Sequence, residues 1–235
     1  MAQFAETGIQ FGVITPDRTE EVLQFLAINF YPDEPLQRSL GIQRNWFIDG
    51  FYEEAIKGGS CVMATDTSGA IIGVRLTEVI DRHASVKKFM EKAMMASLPV
   101  IAKISWLFRK RKVRKCCVVF HELIRELEYD VWPMFDQFDC QKILGDIGVC
   151  TSKDSRVKGL GTELVKQAEV IGKEHGCEYA INFVTGLYSG KIFRDKCNYT
   201  VTKKVFYSQF LDRKGNLHLQ DTREHLSCFA CHKKL

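Results

Sequence analysis

The chain has 235 residues, 46% of them apolar and 26% charged, with a formal net charge of +4. That length buries a core without disulfides or metals, and the composition excludes collagen-like and disordered classes. The mild positive charge suits an anionic ligand without marking nucleic acid as a partner. The nine cysteines are odd in number and share no repeated spacing, which predicts reduced thiols in a cytoplasmic compartment. The opening MAQFAETGIQFGVITPD has no basic region followed by an apolar stretch, so no signal peptide is expected. The most apolar window, 94–108, is interrupted by Pro99 and Lys103 and is too short to span a bilayer.

In chain order, residues 9–14 read as a strand, after which Thr15 or Asp17 caps a helix with Pro16 in its first turn. Val22, Leu23, Phe25, Leu26 and Phe30 give that helix one buried stripe. The segment YPDEPL breaks the pattern, and a second helix is expected from about 36 to 57, stopping at Gly58-Gly59. Residues 60–65 and 70–79 form a hairpin around Asp66-Thr67-Ser68-Gly69. The stretch 84–138 has a helical pattern interrupted by a basic run at 109–115, and reads as an insertion over the core. From 143 the order is strand (143–152), helix (160–175), strand (178–184), helix (187–197) and strand (199–210), with a last strand at 225–232. Two strand-helix-strand crossovers favour parallel neighbours, at least for the first pair. The expectation is one α/β domain over 1–235: a mixed sheet of about six to seven strands with helices on both faces.

The segment VCTSKDSRVKGLGTELVKQ is the most informative. A β-branched strand enters a polar turn, then two glycines, then an amphipathic helix. The first N–H groups of a helix lack internal partners and point outward with the positive end of the dipole behind them, which makes a phosphate site. Gly159 and Gly161 let a diphosphate approach the backbone, and Arg156 and Lys158 add charge at the rim. Neither the P-loop pattern nor the third glycine of the dinucleotide fingerprint is present. By itself Gly-x-Gly also fits a tight strand-helix junction.

With Arg156, Gly159 and Gly161 in Arg-x-x-Gly-x-Gly after a strand, and a second strand and short helix following, residues 143–200 resemble the GCN5-related N-acetyltransferase (GNAT) superfamily. The resemblance implies a GNAT fold that binds acetyl-CoA. The pyrophosphate would sit on Arg156, Val157, Lys158, Gly159, Leu160, Gly161 and Thr162, and the pantetheine arm would pair with the main chain of Val149, Cys150 and Thr151. Asp33-Glu34-Pro35-Leu36 resembles the catalytic loop of the invertebrate arylalkylamine (dopamine-type) N-acetyltransferases, which implies Glu34 as general base; a solvated loop carboxylate is the other reading. Such a base is needed because an alkylamine with a pKa of roughly 10 is protonated at neutral pH, and deprotonating it costs about 4 kcal/mol at pH 7. The same resemblance implies proton-handling hydroxyls at Thr185 and Ser189; otherwise Thr185 caps the helix and Ser189 is a packing residue. Phe193 stands where many superfamily members carry an acidic tyrosine, and the helix is one residue longer than the family pattern.

The expected function is acetyl transfer from acetyl-CoA to the primary amine of a small arylalkylamine by direct attack, with no covalent acetyl-enzyme and a backbone amide near 149–151 stabilising the oxyanion. Trp46, Phe47 and Phe51 could wall an aryl substrate or belong to the core. One alternative is a protein or histone acetyltransferase, whose base would fall at Gly145, with Asp146 turned to the other sheet face. Another is a silent CoA-binding regulatory module. The basic run 109–115 reads as a solvated face rather than a nucleic-acid platform, and Cys228-x-x-Cys231 as strand alternation rather than a metal site. No membrane association is expected.

Overall fold

A computed structural model of the chain describes residues 4, 6–42, 44, 46–84, 111–154, 157–212 and 214–235, with backbone alone for 46–48 and 111–117. The first elements are β1 (Gln10–Val13), a 3-10 turn (Pro16–Arg18) and α1 (Thr19–Asn29). Helix α1 buries Val22, Leu23, Phe25 and Leu26, the stripe predicted from their spacing. Its cap differs from expectation. Thr15 precedes the 3-10 turn without a side-chain bond, and α1 begins after Arg18 with no side-chain cap.

The helix expected over 36–57 is two helices, α2 (Pro35–Leu40) and α3 (Trp46–Lys57). Gly41 adopts a left-handed conformation at φ 62°, and the Ile42 N–H returns to the Gln37 carbonyl, closing α2 with a glycine cap. The hairpin of β2 (Val62–Thr65) and β3 (Ile71–Asp81) forms as predicted, its turn held by Asp66 Oδ1, which accepts from the Ser68 and Ala70 N–H groups. Two helices follow, α4 (Arg111–Glu126) and α5 (Val131–Phe138). Much of the expected insertion, with Arg109 and Lys110 of the basic run, lies outside the described residues. Helix α4 does more than cover the core: its Val119 and Leu123, with Leu127 just after it, are buried with Leu36 and Leu40 of α2 and with Tyr207 and Phe210.

The last third runs β4 (Lys142–Thr151), α6 (Leu160–Glu174), β5 (Tyr179–Val184), α7 (Leu187–Gly190), a π-helical turn (Lys191–Lys196), β6 (Thr200–Phe206) and β7 (Ser227–Lys234). The seven strands form one sheet in the order β1-β2-β3-β4-β5-β7-β6, in which β4 and β5 are the parallel pair. The second crossover does not make neighbours. β7 inserts between β5 and β6 and pairs antiparallel with both. Strand β6 also stops at Phe206 instead of reaching 210, because Tyr207 enters a 3-10 turn. Helices α1 and α3 pack with Val74, Leu76 and Cys150, while Leu160, Leu164 and Ala168 of α6 pack with Val62, Ala64 and Ile72.

Two irregularities of the central strands shape the site. Leu76 pairs with Gly148 and Thr77 with Asp146, so Ile147 is an extra residue, a bulge in β4. The β4–β5 pairing covers only Ile143–Gly145 against Tyr179–Ile181, after which the two strands part.

Candidate active site

A cavity of about 280 Å³ opens where β4 and β5 part. Glu34, Thr185, Ser189 and Val149 all line it, so residues far apart in sequence meet at one wall. The remaining lining is mainly apolar and aromatic, including Phe30, Phe51, Tyr52, Phe120 and Phe183. Phe51 therefore reaches the cavity, whereas the side chains of Trp46 and Phe47 lie outside the described residues.

Glu34 is the N-cap of α2: its Oε2 accepts from the Gln37 N–H at 2.7 Å, and Pro35 occupies the first helical position. Its Oε1 is buried and makes no geometrically sound hydrogen bond. Burial pushes the Glu34 pKa above the usual carboxylate range, opposed by the Gln37 N–H, the Thr185 hydroxyl beside the carboxyl group and the Leu36 N–H. Glu34 is half-buried, with Oε1 shielded and Oε2 held by the start of α2, so its carboxylate is not freely solvated.

Gly186, not Thr185, is the N-cap of α7. The N–H of Leu187 at that helix start is bonded by Nδ1 of His225 at 2.9 Å. Burial lowers the His225 pKa and so favours the neutral imidazole that can accept this bond. The Thr185 carbonyl accepts from the Tyr207 hydroxyl at 2.7 Å, and Ser189 donates to the Gly186 carbonyl at 3.1 Å. Sequence reasoning missed His225 and Tyr207, since neither belongs to a local motif. Their contacts are made across 38 and 22 positions.

On the phosphate side, Gly159 is the N-cap of α6 and needs its glycine, with φ at 87°. Gly161 has a different immediate reason from the one expected. A Cβ there would lie 2.8 Å from Ile192 Cδ1, so its bareness lets α6 pack against the π turn. Lys158 is exposed, Val157 packs on the α6 cluster, and Leu160 is buried. Arg156 lies outside the described residues. Val149, Cys150 and Thr151 pair with β3 along one edge, and none of the three pairs with β5 along the other. Burial pushes the Cys150 thiol up to about 12, which leaves it a poor nucleophile at neutral pH.

Gly145 faces Glu78 and Ile80, while Asp146 turns to the opposite face and pairs with Arg75. The position expected for a strand-borne base therefore offers none. Phe193 is buried, stacks edge-on against Tyr199 and lies 5.1 Å from the Arg75 guanidinium. Cys228 and Cys231 belong to separate buried clusters. No helix of the described residues is long and apolar enough to cross a membrane.

Residues 120–189 match the model of the acetyltransferase (GNAT) family. The matched segment runs from within α4 to Ser189 of α7 and includes β4, α6 and β5. Among solved structures, it is similar to arylalkylamine N-acetyltransferase 2 from Aedes aegypti, with 19% identity over 96% of this chain and 98% of that one, and a TM-score of 0.77. An agmatine N-acetyltransferase matches at 17% identity over 97% of this chain and 100% of that one, with a TM-score of 0.74. A Drosophila melanogaster polyamine N-acetyltransferase that forms N-acetylagmatine matches at 18% identity over 97% and 100%, with a TM-score of 0.68. At these identities the likeness establishes the GNAT fold. No curated protein sequence matches the chain.

The GNAT cofactor is acetyl-CoA, and the residues present fit it. The free edge of β4 offers main-chain groups to an extended amide-bearing arm. The outward N–H groups at the start of α6 suit its phosphates. Thr151 and Gly161 join these two regions, for a Cβ on Gly161 would meet Thr151 Cγ2 at 3.8 Å.

Proposed function

We propose that this GNAT enzyme acetylates the primary amine of a small arylalkylamine, with Glu34 as general base. The observation that carries this reading is a buried carboxylate of raised pKa facing an aromatic cavity at the open β4 edge. Acetyl-CoA, when bound, supplies an acetyl thioester. Val149, Cys150 and Thr151 would hold its arm, and Arg156, Val157, Lys158, Gly159, Leu160, Gly161 and Thr162 its phosphates. Glu34 orients the ammonium group of the acceptor and takes its proton, which a carboxylate of raised pKa does more readily than one of ordinary pKa. Thr185, beside that carboxyl group, and Ser189, at the start of α7, hold and pass protons along the cavity wall. With Phe193 in place of a tyrosine, Ser189, Tyr188 or water is left to return a proton to the departing CoA thiolate.

The aryl preference rests on the lining. Of the two carboxylates on the described cavity wall, Asp146 is engaged by Arg75, which leaves Glu34 for one cation amid aromatic rings. A long diamine would bring a second cation into an apolar cavity, at a desolvation cost.

The deciding experiment assays dopamine, tyramine, serotonin, tryptamine, agmatine, spermidine and lysine peptides with acetyl-CoA. Turnover highest on the aryl amines supports the reading, and activity confined to peptides overturns it. Glu34→Ala should bind CoA normally and lose about 100-fold or more in kcat at neutral pH. Unchanged kcat would remove Glu34 as the base.

A further inference from the structure

Below the cavity, three side chains from three adjacent strands meet where the sheet opens. Arg75 on β3 is 2% exposed and its ion-pair partner Asp146 on β4 is 9% exposed. A second guanidinium nitrogen of Arg75 donates to Asn182 Oδ1 on β5 at 2.6 Å. Asp146 and Asn182 are the first residues beyond the last paired positions, Gly145 and Ile181. Asp146 also lies beside the main chain of Phe183, on the stretch of β5 that β4 no longer pairs. The bulge makes this possible. Arg75 is registered with Val149, and only the extra residue at Ile147 brings Asp146 onto the same face as Arg75. Phe193 of the π turn lies over the guanidinium, tying the cluster to the helix that carries Ser189.

We propose that Arg75, Asp146 and Asn182 form a wedge of positioning residues that holds β4 and β5 apart and so sets the width of the slot for the CoA arm. This rests on the acetyl-CoA reading of the site. A buried ion pair is a poor source of net stability, since apolar residues of similar size often replace it without loss. Its placement at the parting point gives it a use that apolar packing does not supply. The charged fork of Arg75 bridges Asp146 on β4 and Asn182 on β5 and holds the two strands at fixed spacing.

The test measures CoA binding by calorimetry on the full chain, alongside thermal melting. The double variant Arg75→Met/Asp146→Leu should melt at or near the wild-type temperature and bind CoA about tenfold to a hundredfold more weakly, the scale on which small misplacements of a site act. Arg75→Lys keeps the charge but not the planar fork that spans Asp146 and Asn182, and should also weaken CoA binding while melting normally. If the double variant does not fold, Arg75→Lys decides: wild-type affinity in that variant overturns the wedge, as it does in a folded double variant. Failure of the wild-type chain itself to bind CoA would overturn the functional reading instead.

Discussion

Burying a carboxylate disfavours its charge, and Glu34 accepts that cost while capping a helix with the same group. Its raised pKa fixes two opposite pH trends. As a base it must be ionised, so kcat should fall as pH drops through its raised value, and the acidic limb of the wild-type pH–rate profile should disappear in Glu34→Gln. For stability the sign reverses: the folded chain keeps this proton to higher pH than the unfolded chain, so the contribution of Glu34 declines as pH rises through that window. Glu34→Gln should therefore gain melting temperature relative to wild type at pH 8 compared with pH 5; equal differences at both would contradict the burial argument. His225 acts on a neighbouring element. Replacing it with leucine leaves the Leu187 N–H without its acceptor and should cost about 1–3 kcal/mol in chemical denaturation. The type of residue at Glu34 was legible in its tetrapeptide, but its burial was not, because α4 and the cavity wall that cover it come from distant sequence.

At the scale of elements, the contact between α6 and the π turn is the tightest constraint beside the phosphate side. Gly161→Val should drive a side chain into Ile192 and cost about 1–3 kcal/mol, with a lower melting temperature even in the absence of CoA. Gly159→Ala tests the other glycine through backbone strain alone, with a cost of about 1–2 kcal/mol. The two positions look alike in the motif, and periodicity could not tell a left-handed cap from a close helix contact. The split of α2 from α3 was missed for a related reason. Gly41 inside an apolar-periodic run is tolerable in a helix, and only its φ of 62° makes it a terminator.

Across the whole molecule, the helical segment after β3 is part of the core. Leu123 is fully buried between α2 and the chain around Tyr207 and Phe210, so Leu123→Ala should cost about 2–5 kcal/mol in denaturant unfolding. Because α2 begins at Glu34, the same substitution should raise KM for the amine; an unchanged KM would show that α4 stabilises the fold without setting the cavity wall. The sheet order carries a second whole-molecule effect. β7 enters last in sequence yet completes the β5 side of the sheet, and β7 also pairs with β6.

Local patterns in the sequence were enough to place β4, α6 and β5, the glycine turn and a carboxylate between prolines, because each depends on residues close in the chain. The sheet order past β5, the bulge at Ile147, the partners of Arg75 and the environment of Glu34 depend on contacts between distant segments, whose register no local periodicity encodes. Tertiary structure alone decided those, and with them how the buried carboxylate comes to face the open edge of β4.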